Sequence, residues 1–168
     1  MSDERTAILG VAAGLALVTA AVHLYLGAVG VVTWSNTGDL PTVLTPLFLA
    51  FGLAVLGGMA LVHRRPSVLR PVYGLGAVLM ALALVGYADW HVLGVVESTL
   101  GVEDLGHDHG NGASHDEGHG HDHGHDDGEP VGTLIDHLAT DALALVSKSA
   151  ELGLLVVLTV LFWGSRGE

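Results

Sequence analysis

A chain of 168 residues that is half hydrophobic and only 14% charged, with a mean hydropathy of +0.54, is too poor in charge for a soluble domain, which would carry about 25%. It has no cysteine, which excludes disulfides, thiolate metal sites, iron–sulfur clusters and cysteine nucleophiles. The net charge of −12 belongs to one segment, because residues 97–129 hold ten carboxylates and no lysine or arginine; the acidity is that of a connection, not of a fold.

The apolar residues come in long blocks almost free of charge, the pattern of membrane spans. Residues 7–32 carry no charge and would reach about 39 Å as a helix, enough to cross with tilt. They are expected to be a retained first helix and not a secretory signal, since Met1 to Arg5 is not a basic leader and the apolar stretch is about twice a usual signal core. Residues 34–41 (WSNTGDLP) predict a short polar turn. A second helix is expected over about 43–62, closing before Pro66, which cannot continue the hydrogen-bond ladder. A third starts near Arg70-Pro71, with proline tolerated in a first turn, and runs over about 70–96. The fourth has its apolar body over 142–163, with a helical pattern beginning near Gly132.

The expected fold is therefore all-α. A four-helix transmembrane bundle forms one membrane domain over residues 1–168, with helices at about 7–32, 43–62, 70–96 and 132–163. A disordered, acidic His/Asp/Gly-rich loop over 97–130 lies between helices 3 and 4. Arg64, Arg65 and Arg70 share the second connection, Arg5 and Arg166 sit near the two ends, and the other connections have no lysine or arginine. The positive-inside rule then puts both termini in the cytoplasm and the acidic loop outside. Gly10 and Gly14 form a G-x-x-x-G, and Gly52, Gly57, Gly58, Gly74 and Gly76 add small surfaces that let helices approach. Packing within the bundle is the plainer reading of these glycines, and a homo-oligomer face at Gly10 and Gly14 the sharper one.

Residues 106–128 read GHDHGNGASHDEGHGHDHGHDDG. His107, His109, His115, His119, His121, His123 and His125 alternate with glycine, so the segment has no face to bury. Neutral imidazole is a good ligand for borderline divalent ions, and Asp108, Asp116, Glu117, Asp122 and Asp126 add oxygens and counter-charge. Zinc comes first, with nickel, cobalt or copper(II) also suited; copper(I) would want cysteine or methionine. An unshifted histidine is mostly neutral at pH 7, so metal and proton compete near pH 6 and below. A merely solvating or pH-sensing spacer is the plainer alternative.

Ionisable residues inside spans are costly and usually functional. His23 falls about 24 Å along the first helix, which places it in the outer leaflet. Asp89 and His91 reach the outer end of helix 3, and His137 and Asp141 start helix 4. These five are expected to form an ordered metal site beneath the loop, although a hydrogen-bonded core histidine is the plainer reading of His23. Asp89 and His91 are two apart, so only one of them is expected to point inward. On helix 4, His137 and Asp141 are four apart and share a face. Lys148 continues that face, and Glu151, three further on, is expected to pair with it near mid-membrane, as a neutralising ion pair or, more sharply, as a relay.

From the HGHDHGHD run through D-H-L-A-T-D-A-L-A-L-V-S at residues 136–147, the sequence resembles a piece of a cation-diffusion-facilitator zinc transporter. That family places an H-x-x-x-D or D-x-x-x-D pair on a transmembrane helix as intramembrane zinc ligands, often preceded by a His-rich loop. The resemblance implies this role for His137 and Asp141. It ends there: the family has more spans, a second ligand helix and a cytoplasmic His-rich loop, whereas helix 2 here has no ionisable residue before His63. The alanine, valine, glycine and arginine bias, with Lys148 as the single lysine, resembles small haloarchaeal membrane proteins.

The sequence thus points to a non-enzymatic membrane protein that binds divalent metal at its outer face and aids metal transport or homeostasis. A haem-binding cytochrome using His23 with His91 or His137 and a non-catalytic accessory subunit are the alternatives. No nucleophile–base constellation, phosphate loop or basic nucleic-acid surface is present in the sequence.

Overall fold

The computed structural model describes residues 3–38, 44–89 and 141–165. Four helices, each long and apolar enough to cross a membrane, make up the described chain: α1 (Asp3–Thr37), α2 (Leu44–Arg64), α3 (Leu69–Ala88) and α4 (Ala142–Gly164), with a 3₁₀ turn, Pro66–Val68, between α2 and α3. The all-α four-span bundle expected from the sequence is the fold, and the protein is a multi-pass membrane protein. The His-rich segment, His91 and His137 lie outside the described residues.

Two helix ends differ from the expectation. The polar turn predicted from Trp34 begins later, because α1 continues through Thr37. Small hydroxyls sustain the extra turn: Ser35 Oγ donates to Val32 O at 2.8 Å and Thr37 Oγ1 to Thr33 O at 3.1 Å. The helix closes only at Gly38, whose φ of +78° lets its N–H return to Trp34 O at 2.9 Å, a left-handed cap that glycine adopts without cost. At 35 residues, α1 is about 52 Å long. The second difference is at α4. Asp141 is its N-cap, with extended backbone (φ −104°, ψ 97°), and its Oδ1 accepts from Leu143 N at 2.9 Å and Ala144 N at 3.1 Å. The helix that carries Lys148 and Glu151 therefore starts after Asp141.

The helices pack in the order α2–α1–α4–α3. α1 contacts both α2 and α4, α4 contacts α3, and α2 meets α3 only sparsely beside the 3₁₀ turn. Neither pure hydrophobicity nor helix amphipathicity orders such a bundle, because lipid tails are as apolar as leucine. Close approach does. A Cβ on Gly52 would sit 2.7 Å from Leu24 Cγ and 3.1 Å from the Ala20 carbonyl, and one on Gly27 would sit 2.6 Å from Leu49 Cδ2. Ala16, Ala20, Val55, Met80 and Leu154 fill the centre where α1 and α4 cross, while Leu53, Leu75, Leu82, Val85 and Val156 face outward, as spans in lipid require.

Gly10 and Gly14 take no part in this packing; nothing lies within 4 Å of a Cβ at either position. Gly52, Gly74 and Gly76 do pack within the bundle as expected, with Cβ positions 2.7 Å from Leu24, 3.1 Å from Phe162 and 2.9 Å from Leu158, and Gly27 joins them. Gly52→Leu is accordingly expected to lower stability by about 1–3 kcal/mol through overpacking, and Gly10→Leu by no more than about 0.5 kcal/mol. Thermal unfolding in detergent measures both, and similar losses at the two positions would contradict the packing described.

Candidate functional site

α4 carries two charges into the bundle. Glu151 is 0% exposed, and three donors or potential donors surround its carboxylate. Lys148 Nζ donates to Oε1 at 2.8 Å and to Oε2 at 2.7 Å, and Ser147 Oγ donates to Oε1 at 2.8 Å. All three residues lie within one turn of α4, so the expected Lys148–Glu151 pair forms within a single helix. Lys148 also lies 5.0 Å from the centre of the Tyr87 ring on α3, a separation at which a ring face attracts a cation.

The third group comes from α1. His23 is buried, with its ring stacked on Phe51 (centroids 4.2 Å apart, planes at 28°) and edge-on to Phe48 at 5.6 Å. Its Nδ1 lies 2.9 Å from the Thr19 carbonyl. A carbonyl only accepts, so Nδ1 carries the hydrogen. This leaves Nε2, 3.6 Å from Glu151 Oε1, as a lone pair on the neutral ring or an N–H on the charged one. A lone pair facing a carboxylate oxygen is repulsive, and a positive charge between the two atoms removes the repulsion. A proton on Nε2 is one such charge; a metal ion bound by both atoms is another. Zinc bonds of about 2.0–2.2 Å to a histidine nitrogen and a carboxylate oxygen, set at a tetrahedral angle, span roughly 3.4 Å, close to the separation found. Thr19 Oγ1, one turn below His23 on α1, is a buried oxygen without a hydrogen-bond partner among the described residues.

Of the residues expected to converge beneath the loop, His91 and His137 lie outside the described residues. Asp89 is buried at the end of α3, Asp141 caps α4 at an exposed position, and His23 faces Glu151, about 15 Å along α4 from that cap. Among the described residues no three His, Asp or Glu side chains gather to hold a metal. The contact between His23 and Glu151 was not anticipated, although depth arithmetic could have found it. Once α1 is known to run to Thr37, His23 lies about 21 Å from its end, nearer the level of Glu151 than that of Asp141. The aromatic packing also bears on haem: Phe51 covers one ring face, and Nε2 is turned toward Glu151 and not toward an open axial position.

No protein-family model, curated protein or solved structure matches the chain. The site must be read from its own chemistry.

Lys148→Met leaves Glu151 buried without its cation and is expected to destabilise the protein by roughly 3–5 kcal/mol, whereas Lys148→Met with Glu151→Gln should recover most of that loss. Denaturant unfolding in micelles reads both. If the double variant is no more stable than the single one, the two charges are not coupled.

Proposed function

We propose that this membrane protein binds divalent transition metal, zinc foremost, on the side of the membrane to which the His-rich connection is exposed, and serves metal transport or homeostasis. The seven histidines between residues 107 and 125 supply the capture ligands. His91, His137, Asp89 and Asp141 flank that connection in sequence, at the ends of the two spans it joins. By the arginine distribution this is the outer side, with both termini inside.

The observation that carries the reading into the bundle is the 3.6 Å approach of His23 Nε2 to Glu151 Oε1. A nitrogen ligand and an oxygen ligand from different helices are held at the separation that one ion spans. In this reading Lys148 is the resident cation. An incoming metal takes its place on the carboxylate, and the partly buried lysine, on a flexible stem, moves off toward Tyr87. A cation site whose occupant is exchanged and not merely added avoids leaving a bare carboxylate in the membrane. Four spans are few for a transport path, and the unpacked Gly10–Gly14 face is where copies would meet.

Elemental analysis of the purified protein, carrying a tag free of histidine, tests this in two steps. The full chain is expected to hold several equivalents of zinc, nickel, cobalt or copper, and the chain lacking residues 107–125 about one. In the shortened chain, Glu151→Gln should abolish that equivalent and Lys148→Met should tighten it. Loss of all metal on shortening would confine binding to the connection. Absence of metal from the full chain, with metal tolerance unchanged, would leave an accessory subunit with a solvating spacer.

A further inference from the structure

The end of the bundle away from the His-rich connection holds a second feature. Beyond the Pro66–Val68 turn, α2 and α3 separate and leave a cavity of about 760 Å³. α1 and α4 floor it with Ala16, Leu154 and Leu158, and Gly57, Gly58 and Leu79 line its walls. The size is within the range of about 300–1,000 Å³ typical of small-molecule sites. The lining is apolar, so water has no partners there, and in a bilayer the adjoining solvent is hydrocarbon.

The connection at this end of the cavity is rich in cationic residues. The cavity lining reaches His63, next to Arg64 and Arg65 at the end of α2, and Arg70 stands in the first turn of α3 across the 3₁₀ turn. All three arginines are exposed. The Arg70 guanidinium lies 5.3 Å from the ring centre of Phe162 on α4. An apolar slot beside a connection that carries three exposed arginines matches a ligand with a hydrocarbon tail and an anionic, multi-oxygen head, because guanidinium binds phosphate in bidentate fashion.

We propose that the α2–α3 cavity seats an acyl chain of an anionic phospholipid, with its phosphate held by Arg64, Arg65 and Arg70. A second copy of the chain is the poorer occupant. A two-fold contact through this opening would set the same arginines against each other, with no acidic residue among the described residues of the 2–3 connection to compensate.

Native mass spectrometry of the full-length protein, released from micelles doped with phosphatidylglycerol or with phosphatidylcholine of the same chains, tests the site. Phosphatidylglycerol should be retained at least tenfold better, since each arginine near a membrane surface contributes about fivefold. Substituting all three (R64Q, R65Q and R70Q) should bring the two lipids to parity. Gly57→Leu meets open space at its Cβ, so the variant folds while its side chain fills the slot, and it should weaken retention of both lipids. Parity in the unsubstituted protein would overturn the proposal, as would undiminished retention in Gly57→Leu. So would displacement of the lipid by inorganic phosphate alone, or a lipid-free dimer that Gly57→Leu abolishes.

Discussion

The bundle is organised around a carboxylate that has no access to solvent. In hydrocarbon Glu151 would be untenable as a bare anion. Its survival depends on Lys148 and Ser147, one helical turn away on the same helix. That local arrangement satisfies most of the charge before any other helix is present. What it leaves is directional, because Oε1 still faces outward from α4, and α1 meets it with His23. The α1–α4 seam is thus both the centre of apolar packing and the place where the membrane interior is polar.

Locking one imidazole nitrogen gives the other its meaning. With Nδ1 committed to the Thr19 carbonyl and the ring held against Phe51, Nε2 cannot turn to a different partner without breaking a buried hydrogen bond. Helix geometry on one side and aromatic packing on the other fix its aim at Glu151. A ring held in this way meets the carboxylate at low entropic cost.

Much of the fold could be read from the sequence, for a simple physical reason. Uncharged stretches about as long as the hydrocarbon is thick have few alternatives to spanning it, and Pro66 with the flanking arginines punctuates them. The intrahelical pair of Lys148 and Glu151 was equally legible, since three residues make one face. The limits came where tertiary packing decides. Ser35 and Thr37 read as turn residues, yet their hydroxyls return to the backbone and extend α1. Gly10 and Gly14 form the recognised motif, yet the close contacts fall to glycines outside it, among them Gly52, Gly74 and Gly76, which the sequence marks as small surfaces, and Gly27, which it does not. The depth of His23 counted from the start of α1 says little of its level, because α1 runs on to Thr37; its contact with Glu151 is set by packing. The N-cap role of Asp141 is set by its extended backbone, which residue spacing does not reveal.

The charges on α4 also bear on how the protein is made. A lysine and a glutamate near the middle of a lone span would together cost about 5–7 kcal/mol during insertion, and each leucine, valine or phenylalanine offsets only about 0.3–0.6 kcal/mol. The leucines and valines of α4 bring it roughly to balance, so it is marginal by itself. The Lys148–Glu151 hydrogen bonds lower that cost as soon as the helix forms, and contact with α1 lowers it further. Since α1 is synthesised first, the seam that holds His23 is already in the bilayer when α4 arrives. The first helix then offers the last a polar partner already in the bilayer.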